Sequence, residues 1–98
     1  MDLTLDDILS PSEDVGSRLI GDELILVPLL AGFGDLEAGL YTMNETGRAI
    51  WSRLDGERSL RIIAKEMAEE FSTTLAVVEM DLLRLMEELE MRKMVVVQ

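Results

Sequence analysis

The chain has no cysteine and no histidine among its 98 residues. Without thiolates there is no disulfide, no zinc–thiolate site and no iron–sulfur cluster. Without imidazole the commonest general base and the commonest nitrogen metal ligand are missing, so a triad or a metal-hydrolase centre has no parts. Positive charge is also scarce: 9 Lys and Arg stand against 20 Asp and Glu, a net charge of −11. That balance repels nucleic acid and anionic membrane and favours a basic or neutral partner. No apolar run approaches the roughly 18 residues of a membrane span. The start is acidic at Asp2, Asp6 and Asp7, unlike the basic start of a signal peptide. These absences predict a cytoplasmic protein that is not an enzyme and holds neither metal nor cofactor.

Hydrophobic residues make up 48% of the chain, too many for a disordered protein. The length suits one domain with a modest core, marginal on its own. Residues 1–14 are weakly specified. Thr4 and Asp7 are spaced to cap a short turn before Pro11, but the segment reads as a flexible, loosely docked arm. Val15 to Ile20 and Glu23 to Leu29 read as strands joined by a tight turn at Gly21-Asp22. Pro28 has no amide to donate, which puts it at a strand end or an edge. The glycines of Leu30 to Gly39 lack the Lys and Ser/Thr of a phosphate loop and read as a plain connection.

Leu40 to Met43 reads as a third strand that turns directly into a helix. Asn44 is a strong N-cap and Glu45 suits the positive end of the helix dipole. The first helix reaches Leu54, and Gly56 is suited to a left-handed closing position. Ser59 caps a second helix over Leu60 to Glu70, with Ile62, Ile63 and Met67 facing inward. Thr74 caps a third that runs to about Arg92, with Val78, Leu82, Leu85 and Leu89 as its core stripe. Met94 to Val97 is a β-type tail. The pattern predicts an α+β, winged-helix-like domain over residues 15–98: a three-stranded antiparallel sheet followed by three helices.

Asn44-Glu45-Thr46-Gly47, Ile50-Trp51, Leu54-Asp55-Gly56 and Ile63-Ala64 together resemble the PqqD family of pyrroloquinoline quinone biosynthesis, whose fold is the RiPP recognition element. The resemblance runs from about Val15 to Val96. Where the family usually has Leu before the Asn, this chain has Met43, a change conservative in volume. The resemblance implies a non-catalytic peptide chaperone. Such a protein holds the leader of a ribosomally made precursor peptide between the third strand and third helix. It presents the precursor to a modifying enzyme, typically a radical S-adenosylmethionine enzyme.

The residues themselves point the same way. Glu69-Glu70 and Glu87-Glu88 are adjacent, so on a helix they point about 100° apart and make poor acid–base pairs. DNA binding fails on chemistry: the front of the third helix, Leu75 to Asp81, offers no Arg, Lys, Asn or Gln to a base edge and two acids to phosphate. What stands out is apolar surface beyond one core stripe. Met80 and Leu83 either are buried because the helix is sandwiched between sheet and helices or, with Val77, form one wall of a slot. The other wall is the third strand, Leu40, Tyr41, Thr42 and Met43, whose open edge can accept an extended peptide as a further strand. Arg84 is placed to meet an acid of the peptide, or to bond within its helix to Asp81 or Glu88. Asn44 and Gly47 are read as structural and Trp51 as a core aromatic. The same open edge invites pairing of two copies. The competing function is a general protein-interaction or regulatory module that binds a folded partner and no leader.

Overall fold

The computed structural model describes residues 3–29 and 41–98. Leu40 and the glycine-rich connection of residues 30–39 lie outside the described residues. Among the described residues, five strands and three helices follow in the order β1 (Leu9–Pro11), β2 (Val15–Ile20), β3 (Glu23–Pro28), β4 (Tyr41–Met43), α1 (Glu45–Ser52), α2 (Leu60–Glu70), α3 (Leu75–Met91) and β5 (Val95–Val97). β2, β3 and β4 form an antiparallel sheet in that order. With the three helices behind it, this is the expected α+β arrangement.

Local signals place the sheet's turns. Gly21 adopts a φ of +61°, which a two-residue hairpin needs at its first central position. β2 then pairs with β3 from Ile20↔Glu23 down to Val15↔Pro28, so Pro28 sits at the end of the ladder as its missing amide requires. β4 pairs with β3 through Leu24↔Met43, Ile25↔Thr42 and Leu26↔Tyr41. Directly paired residues share a sheet face. Leu24, Leu26 and Met43 are therefore buried together, Tyr41 packs beside them, and Thr42 points out.

The helices complete the core. Ser59 Oγ accepts from the Ile62 amide as the N-cap of α2, and Leu60, Ile63, Ala64 and Met67 are buried. Ile62 itself is exposed rather than inward. On α3 the fully buried line is Leu82, Met86 and Leu89, with Val78 and Leu85 packed at its margin. The expected stripe is therefore rotated slightly towards Met86. Thr74 stands at the N-cap position of α3 but makes no side-chain cap bond. The Arg53 guanidinium ties α1 to α2 by pairing with Glu66 at 3.1 Å and Glu70 at 2.6 Å. Trp51 packs against the core, as expected.

The reading of residues 1–14 as a flexible arm is corrected for Leu3 to Asp14. Leu9 is 0% exposed and Leu3 7%, and β1 pairs antiparallel with β5 through Leu9↔Val97, Ser10↔Val96 and Pro11↔Val95. The turn at Thr4 to Asp7 forms, with the Thr4 amide donating to Asp7 Oδ2 at 2.8 Å. It also serves α2. The Leu60 amide donates to the Asp7 carbonyl at 3.0 Å and the Arg61 amide to the Leu5 carbonyl at 2.8 Å. These are amides that a helix start leaves without intrahelical partners. The segment is thus both a cap for α2 and a lid over the β5 end of the core.

Candidate functional site

β4 passes into α1 through a single residue. Asn44 is extended (φ −80°, ψ −171°), and its Oδ1 accepts from the Gly47 amide at 3.0 Å. That bond satisfies one orphan amide and fixes where the helix begins. Gly47 is buried, and a Cβ there would lie 2.9 Å from the Met43 Cβ and 3.2 Å from its Cγ. Glycine is required because the first turn of α1 folds back onto the last residue of β4. Two opposed effects act on Gly47→Ala. Alanine gains about 1 kcal/mol in helix propensity, and the overlap with Met43 costs about 1–3 kcal/mol. The overlap wins, so the melting temperature is expected to fall by several degrees; an unchanged or higher value would show slack at this corner.

β4 lies at the margin of its sheet. Among the described residues no strand pairs with its outer edge. No described strand takes up its amides and carbonyls on that side, which is the arrangement in which a sheet edge can accept another chain.

The flank of α3 that faces β4 is marked by Tyr41. Its hydroxyl donates to Glu88 Oε2 at 2.9 Å. The Arg92 guanidinium lies 5.1 Å from the centroid of the Tyr41 ring and 3.5 Å from Glu88. Burial holds the Tyr41 phenol protonated above its usual range; the bond to Glu88 and that carboxylate's charge push the same way, and Arg92 opposes them. Stepping along α3 by three and four from Glu88 puts Asp81, Leu85 and Arg92 on this flank. Helical rotation at about 100° per residue places Val77 about 20° and Arg84 about 40° from Glu88. Val77 is 53% exposed. Arg84 is exposed and makes no ion pair among the described residues; the bond to Glu88 that the spacing allowed is not made, because Glu88 holds Tyr41 and Arg92.

Met80 and Leu83 are placed differently from expectation. They are turned about 80° and 140° from Glu88, away from β4. Met80 is 56% exposed, and Leu83 packs on the core from the helix's other flank. Apolar residues nearly encircle α3, so periodicity alone could not fix its rotation. Burial of Leu82, Met86 and Leu89, together with the Tyr41–Glu88 bond, fixes it instead.

A feature invisible to sequence reasoning lies at the start of α3. A cavity of about 260 Å³ opens between α1, the end of α2 and α3. Its floor is Ile50, Met67 and Leu82, all buried. Three separate elements meet to make it, so no local pattern announces it. Among the described residues no group of His, Cys, Asp or Glu could hold a metal ion. No helix among them is long and apolar enough to cross a membrane.

The fold and its marginal strand define a winged-helix-like α+β domain with a β-edge that is unpaired among the described residues, beside a long helix. A family model described as coenzyme PQQ synthesis protein D (PqqD) matches residues 35–95, and the chain belongs to that family, whose fold is the RiPP recognition element. The structure is similar to a solved one, TbiB1 in complex with the TbiA(beta) leader peptide. The sequences are 26% identical, the match covers 88% of this chain and 93% of that one, and the TM-score is 0.72. Comparison with curated protein sequences found no match.

Proposed function

We propose that this protein is a non-catalytic peptide chaperone. It binds the leader of a ribosomally made precursor and presents that precursor to a modifying enzyme. The observation that carries the reading is the open outer edge of β4 beside α3, in a member of the PqqD family whose structural relative is a leader-bound protein. The leader adds as a strand along Tyr41, Thr42 and Met43, with Leu40 just before them, and main-chain bonds supply affinity. Side chains on alternate residues meet the α3 flank. Val77 and Leu85 offer apolar contact there, and Arg84 offers a charge to an acid of the leader. Met80 and Leu83 contribute little, because they face elsewhere.

Holding the leader raises the local concentration of the precursor at the enzyme. The partner enzyme is of the radical S-adenosylmethionine type or another modifier, acting in the cytoplasm on the PQQ precursor or a related peptide. Two copies pairing through β4 would compete with the leader for the same edge. The deficit of positive charge argues against nucleic acid as the ligand.

The test is a fluorescence titration with a labelled synthetic peptide taken from the short reading frame beside the gene. Val77→Asp is expected to weaken binding about 5- to 50-fold, and Met80→Asp to change it less than about twofold, with both variants folded. Equal losses would refute the assignment of the wall. No binding of the peptide to the unaltered protein would leave a general interaction module as the better account.

A further inference from the structure

The outward face of α3 belongs neither to the core nor to the strand edge, yet it is patterned. Val78, Leu82, Leu85 and Leu89, at steps of four, three and four, line the packed side of the helix. Two residues further on, the same steps give Met80, Arg84, Glu87 and Met91. A shift of two residues turns a helix by about 200°, so this second line lies opposite the first. Its four members fall within about 60° of one another and span about 16 Å of helix. Met80 is 56% exposed and Met91 82%, the most exposed large apolar side chain among the described residues. Arg84 is exposed and Glu87 half-buried, and neither makes an ion pair among the described residues.

Steps of four and three are the spacing of a helix–helix seam. The ends of this seam are apolar, and its middle holds one cation and one anion. Their order determines what complements it. Met80 stands four residues before Arg84 and Met91 four after Glu87, so the line reads the same in reverse except that the two charges exchange places. A second α3 laid antiparallel across it sets Met80 of each copy on Met91 of the other and Arg84 of each on Glu87 of the other. A parallel copy would set Arg84 on Arg84 and Glu87 on Glu87, which like-charge repulsion disfavours. Methionine suits the two apolar contacts, because its flexible side chain adapts to its neighbour.

We propose that the outward face of α3 is the contact between two copies of this chain, packed antiparallel about a two-fold axis that passes between Arg84 and Glu87. The inference is independent of the peptide-binding reading. The contact does not use β4, and Arg84, at the border of the two surfaces, has donors both for an acid of a leader and for Glu87 of the second copy. One helix per copy is a smaller contact than a permanent dimer uses, and each copy carries a net charge of −11. The association is therefore weak and rises with concentration.

Sedimentation of the full chain at physiological ionic strength, from about 10 µM to about 1 mM, is expected to show a mass rising from one copy towards two. Arg84→Glu and Glu87→Arg are each expected to weaken association about 10- to 100-fold, because each sets like charges against one another at both pairs. An equal mixture of the two variants restores opposite charges at both pairs and is expected to associate within about threefold of the unaltered chain. That recovery also shows that both variants are folded. A single copy at every concentration would overturn the proposal and leave the stripe to a different protein. A dimer that neither reversal weakens, and that a peptide bound to β4 dissociates, would overturn it in favour of pairing through β4. Loss in each variant without recovery in the mixture would overturn the antiparallel register.

Discussion

Leu9→Ala is expected to lower the melting temperature by about 10–30 °C, and a chain beginning at Val15 is expected to show no cooperative unfolding at all. Leu9 is fully buried, and leucine-to-alanine changes at such sites cost about 2–5 kcal/mol. For a domain of this size each kcal/mol moves the midpoint by about 4–8 °C. Truncation does more. It strips β1 from β5 and removes the carbonyls of Leu5 and Asp7 from the first amides of α2. It also uncovers the β5 end of the core, where Met94 and Val95 are buried. Against a total stability of about 5–15 kcal/mol, losses at several buried side chains at once leave little. Thermal melts followed by circular dichroism decide the matter. A truncated chain melting within about 2 °C of the full one would restore the picture of a dispensable arm.

Proline in β4 is expected to weaken peptide binding about 5- to 150-fold at one register and to cost the fold at the other. Successive residues of a strand direct their main-chain groups to opposite edges. Of Tyr41, Thr42 and Met43, then, the amides alternate between β3 and the open side. Proline at an outward amide removes a donor to the incoming strand and leaves the peptide's carbonyl unsatisfied, a loss of about 1–3 kcal/mol. Proline at an inward amide breaks the β3–β4 ladder instead. Comparing Thr42→Pro with Tyr41→Pro by titration of the labelled leader and by melting separates the two. Hydrogen exchange gives the same information without mutation, since the outward amides should be protected only when peptide is present. Full-strength binding by a folded proline variant at every position would mean that the leader does not add as a strand.

The alternative of a DNA-binding winged helix draws only on the fold. Function resides in the site, and the exposed start of α3 offers no base-reading side chain. Arg84, a cation on the β4-facing flank with no ion pair among the described residues, is one charge in a strongly acidic chain. One such charge suits recognition of an acid on a peptide better than attachment to a polyanion.

The sequence by itself determined every feature whose cause lies within a few residues: Gly21 in the hairpin, Asn44 capping α1 through the Gly47 amide, Ser59 capping α2, and Gly56 at a φ of +74°. It also determined what chemistry is impossible, because a chain without His or Cys cannot assemble their sites in any fold. Only the tertiary structure decided the rotation of α3, the role of Leu3 to Asp14, and the cavity beneath Val77. Each of these depends on residues far apart in the chain. β1 meets β5 across nearly its whole length, and Tyr41 chooses its partner on α3 from 47 residues away. Apolar residues on nearly every side of α3 left several faces open to burial, and the competition among them is resolved only when the sheet, α2 and the helix pack together.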